Sequence, residues 1–163
     1  MSDTPAPDNA QPGEIHILVD ADACPVKDEI YKVALRHNVR VIIVANSAFR
    51  IMQHALVNRV IVDDGFDAAD DWIAERASAK TVVVTSDILL ADRCIKSGAS
   101  VLANNGKPFT ENSIGGAVAA RAIMEDLRAG MDGATGGPPP FSKADRSRFL
   151  QELDTALVKL ARR

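Results

Sequence analysis

The sequence predicts an α/β fold: a three-layer sandwich around a small, mostly parallel sheet of about five strands, followed by a C-terminal helical tail. Three observations carry this expectation. Five apolar runs read as strands, and each ends in a carboxylate or an amide: Ile15 to Asp20, Val39 to Asn46, Val57 to Asp64, Lys80 to Asp87 and Ser100 to Asn105. Helical patterns lie between them, and the alternating order favours right-handed crossovers and helices on both faces of a parallel sheet. The 163-residue chain is 47% hydrophobic and 25% charged, an ordinary balance for one domain that buries roughly 70% of its unfolded surface.

Residues 1–13 are rich in Pro, Asp and Asn and lack the apolar stretch of a signal peptide, so a disordered lead-in is expected there. After the first strand, Val26, Ile30, Val33, Ala34 and His37 recur at helical spacing, and Pro25 suits a first helical turn. The run Ser47 to Leu56 after the second strand is expected to form a short helix. Asp67 can cap the next helix, whose Ala69, Trp72, Ile73 and Ala77 form its apolar stripe. Ser86 or Asp87 can cap a helix that Gly98 ends. Glu111 to Gly130 reads as a longer helix, weakened near its start by Gly115 and Gly116. A domain over 14–130 is thus followed by a Gly/Pro linker at 131–141. Residues 142–163 form a basic helix with Phe149, Leu150, Leu153, Leu157 and Leu160 on one side, suited to packing on the domain or on a partner, which allows a homodimer.

Net charge is −3, so no global basic field exists to hold a long duplex. No run approaches the ~18 apolar residues of a membrane span. Two cysteines, Cys24 and Cys94, without metal-site spacing point to a cytoplasmic protein with reduced thiols and no structural zinc. Cys94 reads as core, and Cys24 as a small apolar residue beside a helix start where the dipole favours a thiolate.

The strand ends carry the chemistry. In a parallel sheet they share one edge, and ligands bind in the crevice outside it. Asp20, Asp22, Asn46, Asp63, Asp64 and Asp87 would gather along that rim. Carboxylates crowded together repel unless protons or a hard cation intervene. Asp20 and Asp22 fall on one side of an extended strand end, and capping a helix there requires only one acid. Asp87 is a natural N-cap that also becomes a third ligand if it neighbours them. Asp67 and Asp70, one turn apart at a helix start, compete for a fourth position, with Asp70 the residue assigned. Asn46 and Asn104 either ligate through their amides or simply end strands.

The segments Val19 to Ala34, Val44 to Ser47, Gly65 to Ile73, Val83 to Ile95, Arg121 to Gly130 and Gly136 to Phe149 together resemble the YaiI/YqxD family. The resemblance runs from about Ile15 to Leu153, and Val19 to Pro25 (VDADACP) is its most specific part. That family is regarded as PIN-like, and PIN-domain proteins are metal-dependent nucleases with carboxylates at the carboxyl edge of a small parallel sheet. The resemblance matches Asp20 to their first acid, and Thr85 with Asp87 to a later T-x-D. Asp22 belongs to the family's own signature, while Asp67 or Asp70 matches the middle acid only loosely. Asp63, Asp64 and Asp92 stay outside the site.

The leading expectation is therefore a Mg²⁺- or Mn²⁺-dependent phosphodiesterase acting on RNA or single-stranded nucleic acid. Its catalytic residues would be Asp20, Asp22 and Asp87, and its metal ligands Asp20, Asp22, Asp70 and Asp87. Asn46, Lys27, Ser86 and Arg121 would contact substrate, and Arg93 is a further basic candidate. At 4% aromatic content, recognition would rest on the phosphate backbone rather than on stacking. A second expectation is a non-enzymatic metal- or nucleotide-binding module with the basic tail as docking element. A third follows from Asp20-Ala21-Asp22, which resembles the first motif of haloacid dehalogenases. Helix signals beginning at Pro25 leave no room for the insert that follows that motif, and the Asp63–Asp64 pair precedes Thr85–Ser86, the reverse of the expected order.

Overall fold

Runs of Val and Ile, β-branched residues that pack well on a pleated surface, build a sheet covered on both sides. The computed structural model describes residues 13–21, 25–47, 49–63, 67–130 and 141–162, with side chains described only to 124 in the helix that ends at Gly130. The expectations placed on 1–12, on 131–140 and on Asp22, Cys24 and Asp64 lie outside the described residues. The chain runs β1 (His16–Asp20), α1 (Lys27–His37), β2 (Arg40–Ala45), β3 (Val57–Ile61), α2 (Ala68–Arg76), β4 (Thr81–Val84) and α3 (Ile88–Lys96). Then follow β5 (Ser100–Leu102), β6 (Pro108–Phe109), α4 (Glu111–Gly130) and α5 (Lys143–Ala161).

The strand order is β3-β2-β1-β4-β5-β6, with the first five parallel and β6 antiparallel to β5. The chain builds outward from β1 to β3, then returns to the other side of β1 with β4. That reversal opens a crevice at the carboxyl ends of β1 and β4. The expectation of about five strands did not include β6, whose two residues are too few to leave a periodicity.

Alternation sorts the strand residues into two cores. Ile17, Val19, Val41, Ile43, Val82 and Val84 face α1 and α5, meeting Ile30, Val33, Phe149, Leu153 and Leu157. Leu18, Ile42, Val44, Val83 and Val101 face the other way, against Ile73 of α2, Leu90 and Cys94 of α3 and Ile114 of α4. The expected stripe of α2 is only partly buried, since Ile73 is its single fully buried residue while Ala69 and Trp72 pack from the margin.

Two local expectations are corrected. The described residues between Asn46 and Leu56 form no helix. Phe49 and Ile51 instead pack on the α1 face as parts of a loop, with Lys27 and Arg59 near the Phe49 ring and Arg59 donating to the Phe49 carbonyl. Tertiary burial of those two side chains overrides a weak helical tendency. Asp67 occupies the N-cap position of α2 with φ 66° but makes no side-chain cap bond.

The start of α5 is fixed by a capping box, in which Ser142 and Asp145 each accept from the other's backbone N–H. Asp154 of α5 then accepts from His37 (2.6 Å) and Arg36 (2.9 Å) of α1, which hold its carboxyl below the usual range, His37 foremost. Gly106 lies against this helix. A Cβ there would stand 2.6 Å from the Phe149 nitrogen and 2.7 Å from the Arg148 carbonyl carbon, and φ is +88°.

Gly106→Ala is therefore expected to cost about 3 kcal/mol, from overpacking plus left-handed backbone strain. That corresponds to a fall in Tm of roughly 6–12 °C for a chain of this size. Gly98→Ala, with φ +90° and no contact closer than 3.7 Å, should cost only about 1 kcal/mol by the same thermal melts.

Candidate functional site

Asp20 is the last residue of β1, and alternation places it with Leu18 on the face covered by α2, α3 and α4. It is 9% exposed, and the Thr85 hydroxyl donates to its Oδ2 at 2.9 Å. Thr85, just beyond β4, turns the chain as well, since its Oγ1 accepts from the Asp87 N–H at 3.0 Å. Asp87 then caps α3, and its Oδ1 accepts from the N–H groups of Leu89 (2.9 Å) and Leu90 (3.1 Å). The helix start thus stabilises this carboxylate by hydrogen bonds and by its dipole.

Asp70, in the first turn of α2, faces the same crevice. Its carboxyl is pushed up to about 6 from 3.8, first by burial, then by the negative charges of Asp87, Asp20 and Asp67, with Arg93 opposing. A cavity of about 420 Å³ is lined by Asp67, Asp70, Asp87, Leu89, Leu90, Arg93 and Arg121. Arg93 reaches it from α3 while donating to Asp71 of α2 at 2.8 Å, an ion pair that ties the two helices together. Arg121 comes from α4.

The structure therefore brings Asp70, Asp87 and Arg121 into one cavity, with Asp20 close enough for its charge to act on Asp70. Lys27 lies on the other face, its Nζ 5.4 Å from the Phe49 ring centroid. Asn46 and Ser86 are exposed and do not line the cavity, and Ser86 Oγ accepts from the Asn104 N–H at 3.4 Å. Cys94 is buried, which pushes its thiol up to about 12 and removes it as a nucleophile near neutral pH. Sequence spacing did not reveal the Asp71–Arg93 pair, because its partners sit on different helices. Thr85 as the donor to Asp20 was signalled only through the T-x-D resemblance.

Carboxylate oxygens suit hard cations such as Mg²⁺ or Mn²⁺ rather than zinc, but Asp20, Asp70 and Asp87 do not close into a cage. Among the described residues, no group of three or more His, Cys, Asp or Glu side chains converges closely enough to hold a metal ion. No helix among them is long and apolar enough to cross a membrane.

The family model described as "Uncharacterized BCR, YaiI/YqxD family" matches residues 18–159. The chain belongs to the YaiI/YqxD family. A UPF0178 protein of Sphingopyxis alaskensis is 69% identical over 146 residues, covering 90% of this chain and 95% of the relative. A UPF0178 protein of Bradyrhizobium diazoefficiens is 55% identical over 163 residues, covering 100% of this chain and 92% of the relative. No solved structure matches the chain. Membership in the YaiI/YqxD family brings no reaction with it.

Asp70 makes stability depend on pH. Its folded pKa is raised, so the fold favours the protonated form. The resulting stability is fully present below 3.8, the unfolded value, and is lost as pH rises through about 6. Conversion of a two-unit shift would give about 3 kcal/mol, and solvent screening of this part-exposed group reduces the expected effect to about 1 kcal/mol. Asp70→Asn should match the wild type near pH 4 in urea unfolding and exceed it by about 1 kcal/mol above pH 7.

Proposed function

We propose that the crevice at the ends of β1 and β4 is a divalent-metal-dependent phosphodiesterase site acting on RNA or single-stranded nucleic acid. The observation that carries this reading is one cavity lined both by the acids Asp67, Asp70 and Asp87 and by the guanidinium residues Arg93 and Arg121. Acids that attract a hard cation and guanidinium groups that pair with phosphate oxygens are the two halves of such a site. The PIN-like architecture that the family resemblance implies adds support from the carboxyl-edge location.

Mg²⁺ commonly takes only one or two carboxylates, with waters and substrate phosphates completing its shell, so no three-residue cage is required. Asp20, Asp70 and Asp87 are the carboxylates from which such ligands would come, joined on the strength of the sequence alone by Asp22. When bound, the cation supplies an activated water and neutralises charge on the phosphate. The protein's own residues prepare the site. Thr85 orients the Asp20 carboxylate, and the α3 N-terminus orients that of Asp87. Asp70 holds a proton on its carboxyl near pH 6 and releases it when positive charge arrives. Arg121 and Arg93 would position a backbone phosphate, and Leu89 and Leu90 supply an apolar wall.

The test is calorimetric titration of Mn²⁺ and Mg²⁺ into wild type, Asp20→Asn and Asp70→Asn, followed by an RNA and single-stranded DNA panel with Mn²⁺. Binding is expected in the wild type with proton release near pH 6. Asp20→Asn should weaken it at least about tenfold, since even outer partners of a metal ligand are worth that much. Cleavage lost in both variants completes the case. Absence of binding at millimolar metal together with absence of cleavage would refute it, and binding without turnover would assign a regulatory module instead.

A further inference from the structure

The two edges of the sheet differ. At one edge, β6 is two residues long and begins with Pro108, and a short strand with a proline gives another chain little to pair with. At the other edge, β3 continues its ladder with β2 to Val62, whose N–H donates to the Ala45 carbonyl at 2.8 Å. Successive residues of a strand aim their backbone groups to opposite sides. Because Val62 faces β2, the N–H and C=O groups of Arg59, Ile61 and Asp63 face away from the sheet.

These outward residues belong to the segment Arg59-Val60-Ile61-Val62-Asp63, which reads symmetrically about Ile61: two valines flank it, and opposite charges flank those. Arg59 and Asp63 are exposed, and Ile61 is 49% exposed. Edge strands are usually blunted by charge. Here the charges are of opposite sign and equidistant from the centre, so antiparallel pairing of the segment with itself joins them.

We infer that β3 is the site where a second copy of this chain docks, by antiparallel pairing about a two-fold axis at Ile61. Within this segment, only a centre at Ile61 sets both charges opposite their counter-charges. An axis at Val60 or Val62 passes through a non-hydrogen-bonded pair and gives a regular ladder, but it sets Arg59 or Asp63 opposite the partner's Ile61 and leaves the charge without its counter-charge. An axis at Arg59 sets two guanidinium side chains directly opposite each other, and one at Asp63 does the same with two carboxylates. Centred at Ile61, the two copies exchange both backbone bonds at Ile61 and again between Arg59 and Asp63. Two Arg–Asp pairs form on one face beside the Ile61 pair, and Val60 meets Val62 on the other. Two six-stranded sheets become one continuous sheet with an isologous interface. Five residues a side make a small interface, so the dimer is weak and concentration-dependent.

The test is analytical ultracentrifugation of the full chain over a wide concentration range, with circular dichroism as a control of folding. The wild type should associate reversibly. Arg59→Asp and Asp63→Arg, which each set like charges opposite at two symmetric positions, should weaken association about tenfold or more. The double charge swap should restore it. Arg59 also donates to the Phe49 carbonyl, so Ile61→Pro provides an independent variant. Its lost N–H faces outward, and β2 keeps its ladder while the dimer is lost. A wild type that stays monomeric at the highest soluble concentration, or a dimer indifferent to these changes, would overturn the inference.

Discussion

Reversal of the strand order between β1 and β4 sets Asp20 and Asp87 beyond neighbouring strands, near enough that both charges act on Asp70 of α2. Like charges at such range are costly. The fold contains that cost differently at each acid. Asp20 receives the Thr85 hydroxyl at a nearly buried strand end. Asp87 is spread over two backbone N–H groups at the positive end of α3. Asp70 has no such donor described and retains a proton to about pH 6. The three carboxylates are chemically alike in the sequence and become distinct only through what surrounds them.

The α5 helix defines the opposite face. Phe149, Leu153, Leu157 and Leu160 are buried among residues of the sheet and α1, so its apolar side is part of the core. Several of its charges serve the same attachment: Arg146 lies 3.3 Å from Glu29 of α1, and Asp154 pairs with Arg36 and His37. Arg148 donates to the carbonyl of Asn105, in the loop that Gly106 brings against α5. That loop also reaches Ser86 through the Asn104 N–H. It thereby links the basic helix to the chain leaving β4, the segment that holds Thr85 and Asp87. A helix that reads from composition as a docking element spends its apolar face on its own domain.

Much of this was legible because the strands have strong β-branched runs with polar ends, and because α1, α3 and α5 carry well-spaced apolar stripes. The run after β2 misled because Phe49 and Ile51 are placed by contacts from Lys27, Arg59 and the core, which no local pattern encodes. β6 was invisible for want of length. Lys27 lies two residues beyond the signature segment and reads as a rim cation, yet it belongs to the Phe49 side of the sheet.

Spacing could not decide between Asp67 and Asp70, and both line the cavity in different surroundings. Asp67 starts α2 in a left-handed conformation, an exposed position that only the folded turn defines. Asp70 lies one turn later, where burial and the charge of Asp20 both act on it. Asp20 acts there because strand parity turns it toward the face that α2 and α3 cover. Parity along β1 is readable from sequence, but which helices cover which face is fixed by the order of all six strands. The acid cluster is thus a tertiary property: its members are visible one by one, and their meeting depends on the reversal at β1.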